Sequence, residues 1–287
     1  MSIKKIHLGK IKISKIFLYI ILLALVSFMA LPLVYMTVTA FKPTSELFVF
    51  PPRFFTRNPT LNNFSELLLA VDSTTVPFTR YIFNSFLVTV LTVFAAVIIC
   101  SMASFAMTKM RLPFSNAIFY IITAALMFSP PVAQLSNFIT ISNMGLLNSY
   151  FSLILPNVAG AMFFFLMKQN MEQLPDAIIE AAKVDGCGYL KIYLKLIMPL
   201  SGPVIATVIV LAFVASWNDF TAPMMYINEE SLKTLPLALQ SLQGGAGQVA
   251  RSGAMAAATF LTTVPTIIVF LFSQSRMIKT MAFSGIK

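Results

Sequence analysis

Charged residues make up only 10% of the 287-residue chain, and just ten of them are acids. Soluble domains carry about a quarter charged residues, so a water-soluble globule is excluded. The single histidine, His7, lies in a basic leader and reads as solvated. With no histidine in any apolar run, a Ser/His intramembrane protease has no base. A two-aspartate protease has no second acid, because Asp219 alone lies near an apolar run. The two cysteines, Cys100 in an apolar run and Cys187 in a polar stretch, form neither a disulfide framework nor a metal site. No G-x-x-x-x-G-K-[ST] occurs, and Gly244-Gly245-Ala246-Gly247 lacks the lysine that would meet a phosphate. The chain is therefore expected to bind no cofactor or metal and to catalyse nothing itself. A self-sufficient secondary transporter or channel would need ionisable groups within its spans or an inverted repeat, and neither is present.

What is present is apolar sequence: 58% hydrophobic residues and a mean hydropathy of +0.85, the composition of a polytopic membrane protein. The net charge of +10 does not imply nucleic acid, because the cations sit in short segments bordering apolar runs. A leader, 1–15, carries five lysines. It precedes a single transmembrane domain, 16–287, with six expected spans near 16–41, 81–108, 117–139, 150–167, 204–220 and 253–273. About 20 helical residues cross the hydrocarbon. The first run is too long for a signal peptide and reads as an uncleaved span. Pro130-Pro131 must break or kink the third span, and Pro265 lies inside the sixth. Lys42 to Thr79 is polar and aromatic, with a helix expected from Leu61 to Val71. Alternate assignment of the loops puts fourteen Lys and Arg on one side and six on the other. By the positive-inside tendency, the side with fourteen is cytoplasmic. It holds both termini and the loop 168–203.

That loop contains EAAKVDGCGYLKIYLKLIMPLSGP, Glu180 to Pro203. Leu174-Pro175-Asp176 is a helix-start signal, with proline suited to the first helical position and Asp176 complementing the helix dipole. Ala177, Ile178, Ala181, Ala182 and Val184 form a small-residue face. Gly186 and Gly188 can both take helix-ending conformations. Tyr189, Ile192, Tyr193 and Leu196 then fall at i, i+3, i+4 and i+7 of a second helix, with Lys191 and Lys195 facing away.

This stretch resembles the EAA loop of membrane subunits of binding-protein-dependent ABC importers. Glu180-Ala181-Ala182, Gly186, Leu196, Met198 and Pro199 stand at the spacings of that pattern, EAA, three residues, G, nine residues, then apolar, any, apolar, P. Asn84-Ser85, Gly145-Leu146-Leu147-Asn148, Leu174-Pro175 and WNDFTAPMMYINEESLKTLPLAL (Trp217 to Leu239) extend the resemblance to the smaller permease of maltose-type carbohydrate importers. The tail SQSRMIKTMAFSGIK departs from the usual glycine-rich ending. The resemblance implies an all-α membrane subunit of the type I importer permease fold, in a bacterial or archaeal cytoplasmic membrane. Its loop would be a coupling helix, with Glu180, Ala181, Ala182, Asp185, Gly186, Leu196 and Pro199 at the ATPase contact. The implied partners are a second permease, two cytoplasmic ATPases that use ATP and Mg, an extracytoplasmic binding protein, a sugar, and lipid, with no nucleic acid.

A sugar pathway calls for neutral hydrogen-bonding groups and aromatic faces. Asn84, Gln134, Asn137 and Asn157 within the spans are the candidates. Trp217, Asn218 and Asp219 at the expected outer end of the fifth span are either an interfacial cluster or part of the substrate entrance. A glycerol phosphate cargo would instead favour Arg80 and Arg251.

The loop assignment predicts that reporter fusions after Lys183 and at the C-terminus read as cytoplasmic, and fusions near Thr60 and Ser241 as external. A cytoplasmic reading at Thr60 contradicts the orientation.

Overall fold

The computed structural model describes residues 13–72, 76–110, 112–128, 130–242 and 252–284. Lys4, Lys5, His7, Lys10, Lys12, Arg111, the Gly244–Gly247 turn, Arg251 and Lys287 lie outside them. Among the described residues all regular structure is helical. The helices are α1 (Ile13–Ala40), α2 (Thr44–Leu47), α3 (Asn62–Asp72), α4 (Phe78–Lys109), α5 (Ser115–Ala125), α6 (Pro130–Asn143), α7 (Tyr150–Val158), α8 (Ala161–Glu172), α9 (Asp176–Val184), α10 (Tyr189–Ile192), α11 (Met198–Leu200), α12 (Gly202–Trp217), α13 (Thr221–Tyr226), α14 (Leu235–Leu242) and α15 (Ser252–Ser284). A π-turn, Tyr193–Ile197, joins α10 to α11, and a 3-10 turn, Glu230–Leu232, precedes α14.

The chain divides into two compact units, Met1–Leu67 with Val249–Phe260, and Leu68–Gln248 with Leu261–Lys287. In the first unit, none of the most apolar stretch of α1 is buried within the chain. The end of α1 is held by Asn63, whose amide donates to Ala40 O at 2.9 Å and Lys42 O at 2.8 Å. These helix-end carbonyls have no intrahelical donor, and the buried amide replaces it. Gly253 makes this close approach possible, since a Cβ there would stand 2.3 Å from Asn63 Oδ1. Phe41, Phe64 and Phe260 cluster beside it with ring centroids 5.2–6.1 Å apart. In the following segment, the Arg57 backbone N–H donates to Glu46 Oε2 at 3.1 Å and holds that carboxyl below its usual range.

The second unit is built around α4, which packs against α7, α8, α12 and α14. At 32 residues α4 is about 48 Å long, more than the hydrocarbon needs. It contains no proline or glycine, whereas α1, α7 and α15 each contain a proline. Its buried side carries hydroxyls that bond across helices. Ser101 shares a hydrogen bond of 2.6 Å with the Tyr193 hydroxyl, and Ser104 donates to Phe164 O at 3.2 Å. Apolar packing of Val97, Cys100, Phe105, Phe164, Met167, Ile192, Ile197 and Val208 fills the space around the Lys109 end. Val88, Leu153, Ile154, Val158, Tyr226 and Ile227 form a second cluster nearer the other end.

Among the described residues four helical stretches are long and apolar enough to cross a membrane: Lys15–Ala40, Phe78–Lys109, Tyr150–Glu172 and Ser252–Ser275. A fifth arises if Tyr189–Leu200 and Gly202–Trp217, bent by 79° at Ser201, count as one. The third expected span is two short helices, α5 and α6, because Pro130-Pro131 opens α6 and does not sit inside a kinked rod. Proline lacks the N–H that a first helical turn leaves unpaired anyway. The expected helix at Leu61–Val71 is α3, shifted by one residue.

Candidate functional site

Asp176 opens α9, with Pro175 extended just ahead of it. Only Ile179 and Ala182 of this helix are buried. Ala177, Ala181 and Val184, at i, i+4 and i+7, lie on the exposed side, where Val184 is 88% exposed. The small-residue face expected from the sequence is therefore two faces. Ala182 packs into the chain's own core, and the outward stripe is Ala177, Ala181 and Val184 with Glu180 beside it. The helix ends in a double hydrogen bond: Gly186 N donates to Lys183 O at 3.0 Å, and Cys187 N to Ala182 O at 2.9 Å. That closure requires a left-handed residue, and Gly186 has φ +73°. Gly188 does not share the role. It is extended at φ −71° and leads into α10.

The second helix also departs from the expected register. Met198 N bonds Tyr193 O, five residues back, so the turn holds an extra residue. Of the expected stripe Ile192 and Tyr193 are buried, but Tyr189 is 42% exposed and Leu196 half-buried, and Ile197 takes the inward place instead. Pro199, exposed, follows directly; the wider turn relieves the clash of its ring with the preceding turn.

α9 is tied to the end of α4. Lys109 Nζ donates to Leu174 O at 2.7 Å and to Asp176 Oδ1 at 2.6 Å. A cleft of about 380 Å³ opens here, lined by Thr108, Lys109, Asp176, Glu180, Lys183 and Tyr189. Lys183 donates to the Tyr189 hydroxyl at 3.1 Å. Glu180 makes no ion pair among the described residues. Asp185 and Gly186 are exposed at the corner.

At the other end of α4, Asn84 is fully buried. Its amide nitrogen donates to Ser231 O at 2.9 Å and Lys233 O at 2.8 Å, and its oxygen accepts from the Tyr150 hydroxyl at 2.8 Å. Ser85 Oγ accepts Leu235 N at 2.7 Å, and the Tyr81 hydroxyl donates to Glu230 Oε1 at 3.0 Å. Asn84, read from sequence as a sugar contact, is thus committed to holding the segment 230–235. Asn157 donates to its own helix at Leu153 O. Gln134, half-buried, and Asn137, exposed, stand three residues apart on α6 and are the candidate amides still available to a ligand.

Trp217 is 4% exposed, stacks on Phe213 at 5.6 Å and donates through Nε1 to Thr262 O at 2.9 Å. It is an interior residue, not an interfacial anchor, because its N–H finds a backbone carbonyl inside the unit. Asn218 bonds back to Val214 O, and Asp219 Oδ1 accepts Thr221 N and Ala222 N at the start of α13. Sequence reasoning passed over Lys109, Tyr150 and Glu230. The place of Lys109 at the end of an uncharged run is the signal that could have found it.

Comparison with known proteins matches residues 99–276 to the family described as binding-protein-dependent transport system inner membrane component. A putative ABC transporter permease protein, ORF2, of Caldicellulosiruptor sp. (strain Rt8B.4) is 30% identical over 274 residues, 94% of this chain and 96% of that protein. The sn-glycerol-3-phosphate transport system permease protein UgpE of Yersinia enterocolitica is 28% identical, covering 90% and 92% of the two chains. Among solved structures, a bacterial ABC transporter involved in import of the acidic polysaccharide alginate superposes with a TM-score of 0.78 at 20% identity. That match covers 92% of this chain and 98% of that one. A second alginate transporter structure, in complex with a pentasaccharide-bound periplasmic protein, gives 0.59 at 15% identity over 91% and 94% of the chains.

Replacing Asn84 by Leu strands the half-buried Lys233 carbonyl and leaves Ser231 O and the Tyr150 hydroxyl with Arg80 alone. A stranded group costs about 1–3 kcal/mol. The variant should unfold at lower temperature in detergent, and Asn84→Gln should not restore it. Wild-type stability with altered solute preference would place the amide on the cargo path.

Proposed function

The chain belongs to the family of binding-protein-dependent transport system inner membrane components, and on that premise we propose that it forms half of a sugar-conducting pore. It is an all-helical ABC importer permease. The subunit carries no ATPase site and binds no cofactor. A second permease completes the pore, and two ATPase subunits supply the energy from ATP and Mg. An extracytoplasmic binding protein delivers the cargo. The Lys109 end of α4 faces the cytoplasm with both termini, and the Asn84 end faces outward, as the distribution of lysine and arginine implies. α5 and α6 together act as a broken third span, which brings the count to six. Lipid covers the exposed apolar faces, and the membrane is the bacterial or archaeal cytoplasmic one.

The observation that carries the reading is the outward stripe of α9. A nine-residue helix, closed by Gly186, presents Ala177, Glu180, Ala181 and Val184 to the exterior while Ile179 and Ala182 anchor it. Small side chains admit a partner backbone, and Glu180, with no ion pair among the described residues, suits a basic group in an ATPase cleft. Asp185 and Gly186 border this contact. Leu196 and Pro199 support it from the following turn, and Ala182 from within.

For the cargo, a neutral or weakly charged sugar is favoured over glycerol phosphate by the state of Arg80 and Lys233 among the described outer cations. Arg80 donates to Ser231 O and the Tyr150 hydroxyl, and its guanidinium lies 5.7 Å from the Phe83 ring. Lys233 is paired with Glu230. Gln134 and Asn137 offer neutral groups suited to hydroxyls. In the importer cycle, closure of the ATPases would displace α9 and reorient the pore between outward and inward access.

A Glu180→Lys, Gly186→Leu double variant tests this. The first change opposes the charge at the contact. The second forces a side chain to φ +73°, at a cost of about 1–2 kcal/mol, although the space there is open. The variant should reach the membrane at wild-type levels, fail to co-purify the ATPase and abolish sugar uptake. Normal uptake would refute the assignment.

A further inference from the structure

We propose that Lys109 is a positioning residue that makes α4 the strut carrying motion of the α9 loop to the outer segment 230–235. The inference rests on the reading of α9 as the ATPase-facing helix and adds the route by which its displacement leaves the loop.

Lys109 is the last residue of α4, and its side chain is only 4% exposed, whereas that of Asp176 is 76% exposed. A lysine ammonium drawn in this far needs fixed partners. It takes two on one short stretch, the Leu174 carbonyl and the Asp176 carboxylate, so it grips the entry to α9 at two points. Glu180 and Lys183 also line the surrounding cleft, and Lys183 is engaged with Tyr189. A pull on α9 therefore loads α4 through Lys109.

α4 is suited to pass that load on. Sharp helix kinks arise chiefly at proline, at glycine or serine pairs or at π-bulges, and α4 has no proline, glycine, adjacent serines or π-bulge from Phe78 to Lys109. The far end is fastened as firmly. Asn84 bonds Ser231 O and Lys233 O, Ser85 bonds Leu235 N, and Tyr81 bonds Glu230. From Lys109 to Asn84 is roughly 37 Å of unbroken helix. Both fixings lie in one compact unit.

The test uses the full complex of two permeases and ATPases, with binding protein, in proteoliposomes, and reads sugar moved per ATP hydrolysed. Lys109→Met keeps the length of the stem and removes the donors. It should lower that ratio about tenfold, within the range of a typical coupling energy, while the ATPase still co-purifies. Lys109→Arg, which keeps two-point donation, should recover most of the ratio. If Lys109→Met does not accumulate, Asp176→Ala removes one grip at an exposed side chain and should lower the ratio by a smaller factor. An unchanged ratio overturns the proposal. So does loss of ATPase association in step with transport, which would make Lys109 a fold or docking residue. A wild-type complex that moves no sugar would instead refute the functional reading.

Discussion

A hydroxyl or amide inside a membrane has no water to bond, so it must find a protein partner or remain a liability. α4 carries Asn84, Ser85, Ser101 and Ser104 on its buried side, and these four find partners on other elements: the segment 231–235, Tyr150, Tyr193 and Phe164. The helix is thereby fixed along its length by directional bonds as well as by packing. Apolar contact alone would hold it weakly, since lipid tails are as apolar as the neighbouring helices. The large unit depends on this constraint from the Asn84 end of α4 to the Ser104 turn near its other end.

Much of this was legible in the sequence because it follows local chemistry. The uncharged runs gave most of the long helices, and the Gly186 corner appears with the left-handed backbone its type allows. What was not legible depends on neighbours distant in sequence. Asn84 looks like any polar residue in a span, and its role appears only when the carbonyls of Ser231 and Lys233 come beside it. Trp217 reads from sequence as either interfacial or part of the substrate entrance, but Thr262 O, 45 residues on, draws it inside. The π-turn at Tyr193–Ile197 was missed because a regular i, i+3, i+4, i+7 spacing assumes 3.6 residues per turn, and one extra residue moves Ile197 inward. The proline pair reads as a break or kink within one span, although proline also suits a first helical turn, which is the place it takes.

The two faces of α9 show how burial refines a motif. Glu180-Ala181-Ala182 reads as one unit, but adjacent helical residues point about 100° apart. Ala181 is turned out and Ala182 in, so small size serves opposite purposes at neighbouring positions: close approach of a partner at one, tight packing of the anchor at the other.

The most direct measurement is site-specific cross-linking from this helix in the assembled complex. Single cysteines would replace Val184 or Ala182 in a chain whose Cys100 and Cys187 are serine. Val184 is 88% exposed and Ala182 only 7%, so a short bifunctional reagent should join Val184→Cys to the ATPase subunit and leave Ala182→Cys unreacted. Equal reaction at both positions, or none at Val184, would contradict docking through the outward stripe of α9.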